Sequence, residues 1–207
     1  GIKPTPSIGG VGLIKNYKQM ITMDFKEINN LVLIIGKTEG HLDQSLFARN
    51  ILNEKNGPPP EINLFNEKNN GETILQLIKS NLIKSAHDVS IGGIITAVSK
   101  MCIKGNKGIE FNKPKYFINE IEYLFCEDQG RYVIEIEPKN LKKVISILDK
   151  NSVHFDELGK IIDKNMIINQ KTKVTIDELK SYNTNWLKEY MKSVSYTHLR
   201  AHETRHY

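Results

Sequence analysis

Residues 85–95 read Ser-Ala-His-Asp-Val-Ser-Ile-Gly-Gly-Ile-Ile, and this stretch limits the possible folds more than any other. An amphipathic helical pattern precedes it and an apolar one follows it. Small and polar residues stand where a strand ends, and Gly92 and Gly93 stand where the next helix begins. The segment therefore predicts a strand–turn–helix with His87 and Asp88 at the C-terminal end of the strand. The first N–H groups of such a helix have no intrahelical acceptor, and the helix dipole adds positive charge there. Phosphates and carboxylates bind these ends readily. Ser90 is placed to cap the helix, and Asp88 to cap it or to hold a cation. Gly92 and Gly93 let another backbone or a ligand come close.

Two readings of His87-Asp88 stand side by side. One is a capped turn. The other is the His-Asp dyad of metal-dependent phosphohydrolases, with His41 and Asp128 nominated as the remaining ligands. Such a dyad normally sits within a helix, so Ser90 and the glycine pair favour the turn.

Leu31-Val32-Leu33-Ile34-Ile35 is a continuous apolar run of strand length and predicts a buried central strand. Gly36-Lys37-Thr38 follows it and imitates a phosphate-binding loop. That motif needs a glycine five places before Gly36, where Leu31 stands, so a tight turn is expected. Upstream, the apolar residues between Ile8 and Ile14 are punctuated by Gly9, Gly10 and Gly12 and read as a further strand. Apolar spacing predicts helices over residues 42–52, 73–83 and 94–103. Gly57-Pro58-Pro59-Pro60 breaks the chain as a stiff loop. A loop or short helix is expected up to Leu124, a strand over 132–136, and a helix opened by Pro138. Residues 155–162 and 166–168 read as a strand pair, and Thr175-Ile176-Asp177-Glu178 as the capped start of a last helix ending near Met191. Strands that alternate with helices and then pair locally predict an α+β fold, a mixed β-sheet covered by α-helices.

A net charge of +5 raises the question of nucleic acid. The positive charge is almost all scattered Lys, with no Arg-rich or aromatic-interleaved stripe, so a solvated surface is expected and no nucleic-acid partner. No apolar run reaches the length of a membrane span, and no membrane partner is expected. Cys102 and Cys126 lack metal spacing and read as free thiols of a reducing, cytoplasmic compartment. The chain starts on Gly1 rather than Met, which reads as a piece of a longer protein. Residues 193–207 contain no Lys, Ile or Asn, yet hold three of the six His and two of the four Arg. They read as a non-native, read-through tail and are set apart from the fold.

Several motifs in order resemble the synthetase subunit of the phosphoribosylformylglycinamidine synthase family, within the AIR synthase-related superfamily. Pro4-Thr5-Pro6-Ser7-Ile8-Gly9-Gly10-Val11-Gly12 looks like the end of that family's second ATP-binding domain. Residues 34–46 resemble its next strand and helix, with Asp43-Gln44-Ser45 where members often carry Gly-Gly-Ser or Gly-Gln-Ser. His87-Asp88-Val89-Ser90 with Gly92-Gly93 matches a His-Asp-Val-Ser-x-Gly-Gly motif, with Ile91 where an acidic or small polar residue is usual. Residues 125–132 match Phe-x-Glu-[Ser/Asp]-Gln-x-Arg-[Tyr/Phe].

The resemblance implies the fold of the C-terminal domain of AIR synthetase-like proteins. It divides the chain into residues 1–22, the end of a preceding ATP-binding domain with its linker, residues 23–192, the C-terminal-type domain, and the tail. It implies an ATP-dependent C–N ligase of purine biosynthesis. That enzyme converts formylglycinamide ribonucleotide and glutamine-derived ammonia to the amidine, and this piece alone is inactive. A non-catalytic nucleotide-binding or scaffold module of the same superfamily is the alternative.

ATP and Mg are implied as cofactors, bound mainly by upstream domains, and no catalytic residue or metal ligand is expected here. The implied partners are those upstream domains, a glutaminase subunit and a small accessory subunit. The candidate ligand-binding or cleft-lining residues are His87, Asp88, Ser90, Gly92, Gly93, Glu127, Asp128 and Gln129. In the family it resembles, the preceding copy of this domain uses the segment matching Glu127-Asp128-Gln129 on the substrate. Here it is expected to order the fold, with Arg131 paired to Glu127 or Asp128.

Overall fold

The computed structural model describes residues 8–115 and 119–203. The fold grows from β1 (Leu31–Ile35), whose last four residues are fully buried. Side chains alternate across a strand. Val32 and Ile34 accordingly enter one hydrophobic core, while Leu33 and Ile35 enter another on the opposite face. A strand apolar on both faces needs cover on both, and the chain supplies it with helices.

Among the described residues, six further strands join it in one sheet: β2 (Ser85–Val89), β3 (Gly108–Phe111), β4 (Arg131–Ile136), β5 (Phe155–Ile162), β6 (Asn165–Ile168) and β7 (Thr172–Thr175). Their order is β2-β4-β1-β5-β3-β6-β7, and only β3 and β6 pair in parallel. Among the described residues, five α-helices cover the sheet: α1 (Leu64–Lys79), α2 (Gly93–Gly105), α3 (Glu120–Phe125), α4 (Leu141–Lys150) and α5 (Ile176–Glu203). α1 and α4 bury Ile74, Leu77, Val144 and Leu148 against one face, and α2 buries Ile94, Val98 and Met101 against the other. This is the expected α+β architecture.

Several local expectations change. Residues 8–14 form no strand. Ile8, Val11 and Leu13 are more than nine-tenths exposed, and nothing lies within 4 Å of a Cβ built on Gly9, Gly10 or Gly12. Pro4 and Pro6 lie outside the described residues. Over 42–52 the apolar period is present, but only a short helical turn and a π-helical turn, Ala48–Leu52, form. Asn53 ends that turn in the left-handed conformation. α1 begins well before residue 73, capped by Asn63, whose Oδ1 accepts from Asn66 N at 3.0 Å. Its buried face includes Asn70 and Thr73, and those polar residues hid the helical period.

The predicted pairing of β5 with β6 is not made, because β3 lies between them. The 163–165 turn wraps tightly around Gly108, whose N–H reaches Asp163 O at 2.6 Å. A Cβ there would stand 1.9 Å from Asn165 O, so only glycine admits the insertion. β3 and β7 themselves were not foreseen. α5 starts on the expected capping box: Glu178 N donates to Thr175 Oγ1 at 3.2 Å, and Thr175 N to Glu178 Oε2 at 2.8 Å. The helix continues to Glu203, beyond the expected end near Met191, so the change of composition at residue 193 does not interrupt the backbone helix.

Candidate functional site

β1 and β2 both run antiparallel to β4, and β5 runs antiparallel to β1. The C-terminal ends of β1 and β2 therefore share one edge with the N-terminal ends of β4 and β5. Segments 36–41, 90–93, 127–130 and 154–156 gather there, so all the sequence-predicted site residues lie at or near this end. Open α/β layers place their sites at such ends.

The strand–turn–helix forms as expected, with His87 and Asp88 as the third and fourth residues of β2. His87 Nδ1 lies 3.0 Å from Asp88 Oδ1, and His87 Nε2 is buried without a hydrogen-bond partner. Gly92 and Gly93 have positive φ, +84° and +71°, and a Cβ on Gly93 would stand 2.6 Å from Cys126 O. Left-handed backbone and close approach thus both demand glycine.

The helix cap differs from expectation. Neither Ser90 nor Asp88 caps α2: the capping position is Gly92, and Ser90 contributes only its carbonyl, to Gly93 N at 3.0 Å. The carboxylate comes instead from Glu127, whose Oε1 accepts from Gly92 N at 2.8 Å and from Leu46 N at 2.7 Å. An anion does sit at this helix N-terminus, and it belongs to the chain itself.

Asp128 is buried and accepts three backbone N–H groups. Glu39 N and Gly40 N reach Oδ2 at 2.7 and 3.1 Å, and His41 N reaches Oδ1 at 3.3 Å. Arg131 is fully buried, with NH1 at 3.9 Å from Asp128 Oδ2. The same nitrogen donates to Thr38 Oγ1 at 3.1 Å and Cys126 Sγ at 3.3 Å, while Nε donates to Asp128 O at 3.1 Å and Nη2 to Cys126 O at 2.9 Å. Gln129 is exposed and donates to Glu127 O at 3.4 Å. The His41 ring turns to Pro58 O at 2.9 Å. Among the described residues, no three His, Cys, Asp or Glu converge as a metal site.

Sequence reasoning missed two features. Glu135 is fully buried in β4 and accepts from Lys26 N, Glu27 N, Asn30 Nδ2 and Ser85 Oγ at 2.7 to 3.0 Å. An acid within Val133-Ile134-Glu135-Ile136 was a readable signal, because a buried charge needs a complete set of partners. The second is a cavity of about 290 Å³ lined by Lys37, Thr38, Pro114, Lys115, Tyr123, His154 and Asp156. None of the predicted residues lines it. Burial raises the Tyr123 hydroxyl above its usual range and pushes the Cys126 thiol up to about 11, leaving both protonated near neutrality.

Residues 28–170 match the family described as AIR synthase related protein, C-terminal domain. The chain is 68% identical over 193 residues to the phosphoribosylformylglycinamidine synthase subunit PurL of Pelagibacter ubique, covering 93% of this chain and 26% of that protein. It is 34% identical over 190 residues to the same subunit of Bartonella henselae, covering 92% of this chain and 26% of that one. The solved structure of T. maritima PurL complexed with FGAR superposes with a TM-score of 0.66 at 19% identity, over 78% of this chain and 29% of that chain, and shows the shared fold. The chain thus spans about a quarter of the length of the curated relatives it matches.

Proposed function

The chain belongs to the AIR synthase-related family through its C-terminal domain, and on that premise we propose that it works as one domain of a phosphoribosylformylglycinamidine synthase. The observation that carries this reading is the 68% identity to the Pelagibacter ubique subunit, sustained over 93% of the chain. In the proposed reaction ATP phosphorylates the amide oxygen of formylglycinamide ribonucleotide. Ammonia then attacks the activated carbon and phosphate leaves. A glutaminase subunit supplies the ammonia, a small accessory subunit completes the assembly, and the site of action is the cytoplasm.

The described residues favour no direct role toward Mg, and the occupied N-terminus of α2 favours none toward a phosphate. No acidic cluster stands ready for a metal among the described residues, and Glu127 already occupies the N-terminus of α2. We therefore assign ATP and Mg to domains outside the matched quarter. The part proposed for this chain is to build one wall of a cleft, with the Glu127–Asp128–Arg131 cluster setting its shape. The bonding of those three side chains favours a scaffold role within the enzyme over direct contact with the reacting atoms.

The test is ADP release with formylglycinamide ribonucleotide, ATP and ammonium salt. The isolated chain is expected to stay at background. It is expected to restore turnover when mixed with the complementary three quarters of the Pelagibacter ubique subunit. Turnover by the chain alone would contradict the reading.

A further inference from the structure

Between β1 and α1 the chain makes a long excursion, residues 36–63, that enters neither hydrophobic core. Residues 49–59 are exposed throughout, and Thr38, Ser45 and Ala48 are the buried residues of the 37–60 segment. Apolar burial therefore does little to hold this segment down, and segments so weakly packed open at low free-energy cost.

Its attachments are mostly polar and converge on two consecutive carboxylates. Asp128 takes the N–H groups of Glu39, Gly40 and His41, and Glu127 takes that of Leu46. Glu127 N also donates to His41 O at 3.3 Å. Farther out, the excursion is tied to itself: Gln44 Nε2 donates to Lys55 O and Gly57 O, both at 3.0 Å, and the His41 ring meets Pro58 O. The Phe47 ring adds one contact, 4.8 Å from that of Phe125. The far part thus moves with the near part; Arg131 Nη1, donating to Thr38 Oγ1 at 3.1 Å, fixes its root, and beyond Thr38 the near part hangs on Glu127 and Asp128.

We infer that residues 38–60 form a lid latched by Glu127 and Asp128. Because Glu127 Oε1 accepts from Leu46 and Gly92 together, the latch and the start of α2 form one unit. Lifting the lid strips Glu127 of one of its two donors and pulls on Thr38, the root residue that lines the cavity at the end of β1. The lid rests on this chain's own bonds and is independent of the reaction proposed above.

Hydrogen–deuterium exchange of the 207-residue protein tests it, with Glu127→Ala, Asp128→Asn and, as a control, Gln129→Ala. Charge-assisted hydrogen bonds are the stronger kind, so Glu127→Ala is expected to speed exchange over 38–46 and at Gly92 by about tenfold or more. Amides of β1 and β4 should rise by no more than about fivefold, the share of the global destabilisation, and Gln129→Ala should change neither set. If Glu127→Ala does not fold, Asp128→Asn carries the test: residues 39–41 must loosen first, with 46–60 following. Unchanged exchange over 38–46, or an equal rise across the whole sheet, would overturn the lid.

Discussion

Glu127 Oε1 accepts the backbone N–H of Gly92 at 2.8 Å, across thirty-five residues of sequence. Gly92 opens α2 and Glu127 lies in the loop between α3 and β4, and the bond caps α2 from outside its own turn. Replacing Glu127 with Ala removes this cap, and N-cap losses cost about 1 kcal/mol. The thermal midpoint is expected to fall by a few degrees and the far-ultraviolet spectrum to stay native-like. An unchanged midpoint would mean that water satisfies Gly92 equally well.

Gly93→Ala is expected to cost more. It places a Cβ on a residue with φ +71° and drives it to 2.6 Å from Cys126 O and 2.7 Å from Leu124 O. Left-handed strain alone is worth about 1–3 kcal/mol, and the backbone contacts add to it. Denaturant unfolding measures the loss. A cost under about 1 kcal/mol would mean that the turn relaxes freely.

Glu135 makes the sharpest stability prediction. Glu135→Leu leaves Asn30 Nδ2, Ser85 Oγ and the backbone N–H groups of Lys26 and Glu27 without their acceptor. Each buried, unsatisfied group costs about 1–3 kcal/mol. Urea unfolding should show a loss of at least ~3 kcal/mol, with Glu135→Gln intermediate. Equal midpoints for Glu135→Leu and wild type would contradict the burial of this carboxylate.

Burial pushes the thiol of Cys102 up to about 12 and that of Cys126 up to about 11, from an ordinary 9.0. A group whose pKa is raised on folding contributes stability that is fully present below its unfolded value and is lost as pH rises toward the folded one. Stability should therefore decline from about pH 9 upward, and Cys102→Ser with Cys126→Ser should flatten that slope. In the native protein neither thiol should react with a disulfide reagent at pH 8, and both should react in denaturant. Rapid native labelling would show that one of them is reachable.

What was legible in the sequence was local. The apolar run 31–35 named the central strand. The Gly92-Gly93 pair marked the turn, and the Thr175–Glu178 spacing marked the start of α5. What failed depended on distant partners. A two-residue connection between β5 and β6 looks like a hairpin, and nothing near it announces that β3 slips between them. The apolar spacing of residues 42–52 is helical, yet the helical turn begins only at Leu46, whose N–H bonds to a carboxylate eighty-one residues away. Ser90 has the right chemistry for a cap, but Glu127 takes the Gly92 N–H from the loop before β4.

The most direct measurement is a chimera of the Pelagibacter ubique subunit in which its matching quarter is replaced by residues 1–192 of this chain, assayed with ATP, formylglycinamide ribonucleotide and ammonium salt. At 68% identity the interdomain surfaces should remain compatible. The predicted result is formation of the amidine at a rate within about tenfold of the parent enzyme, less than about 1.4 kcal/mol of barrier. A folded, stable chimera that forms no product would contradict the assignment of this chain to the synthase.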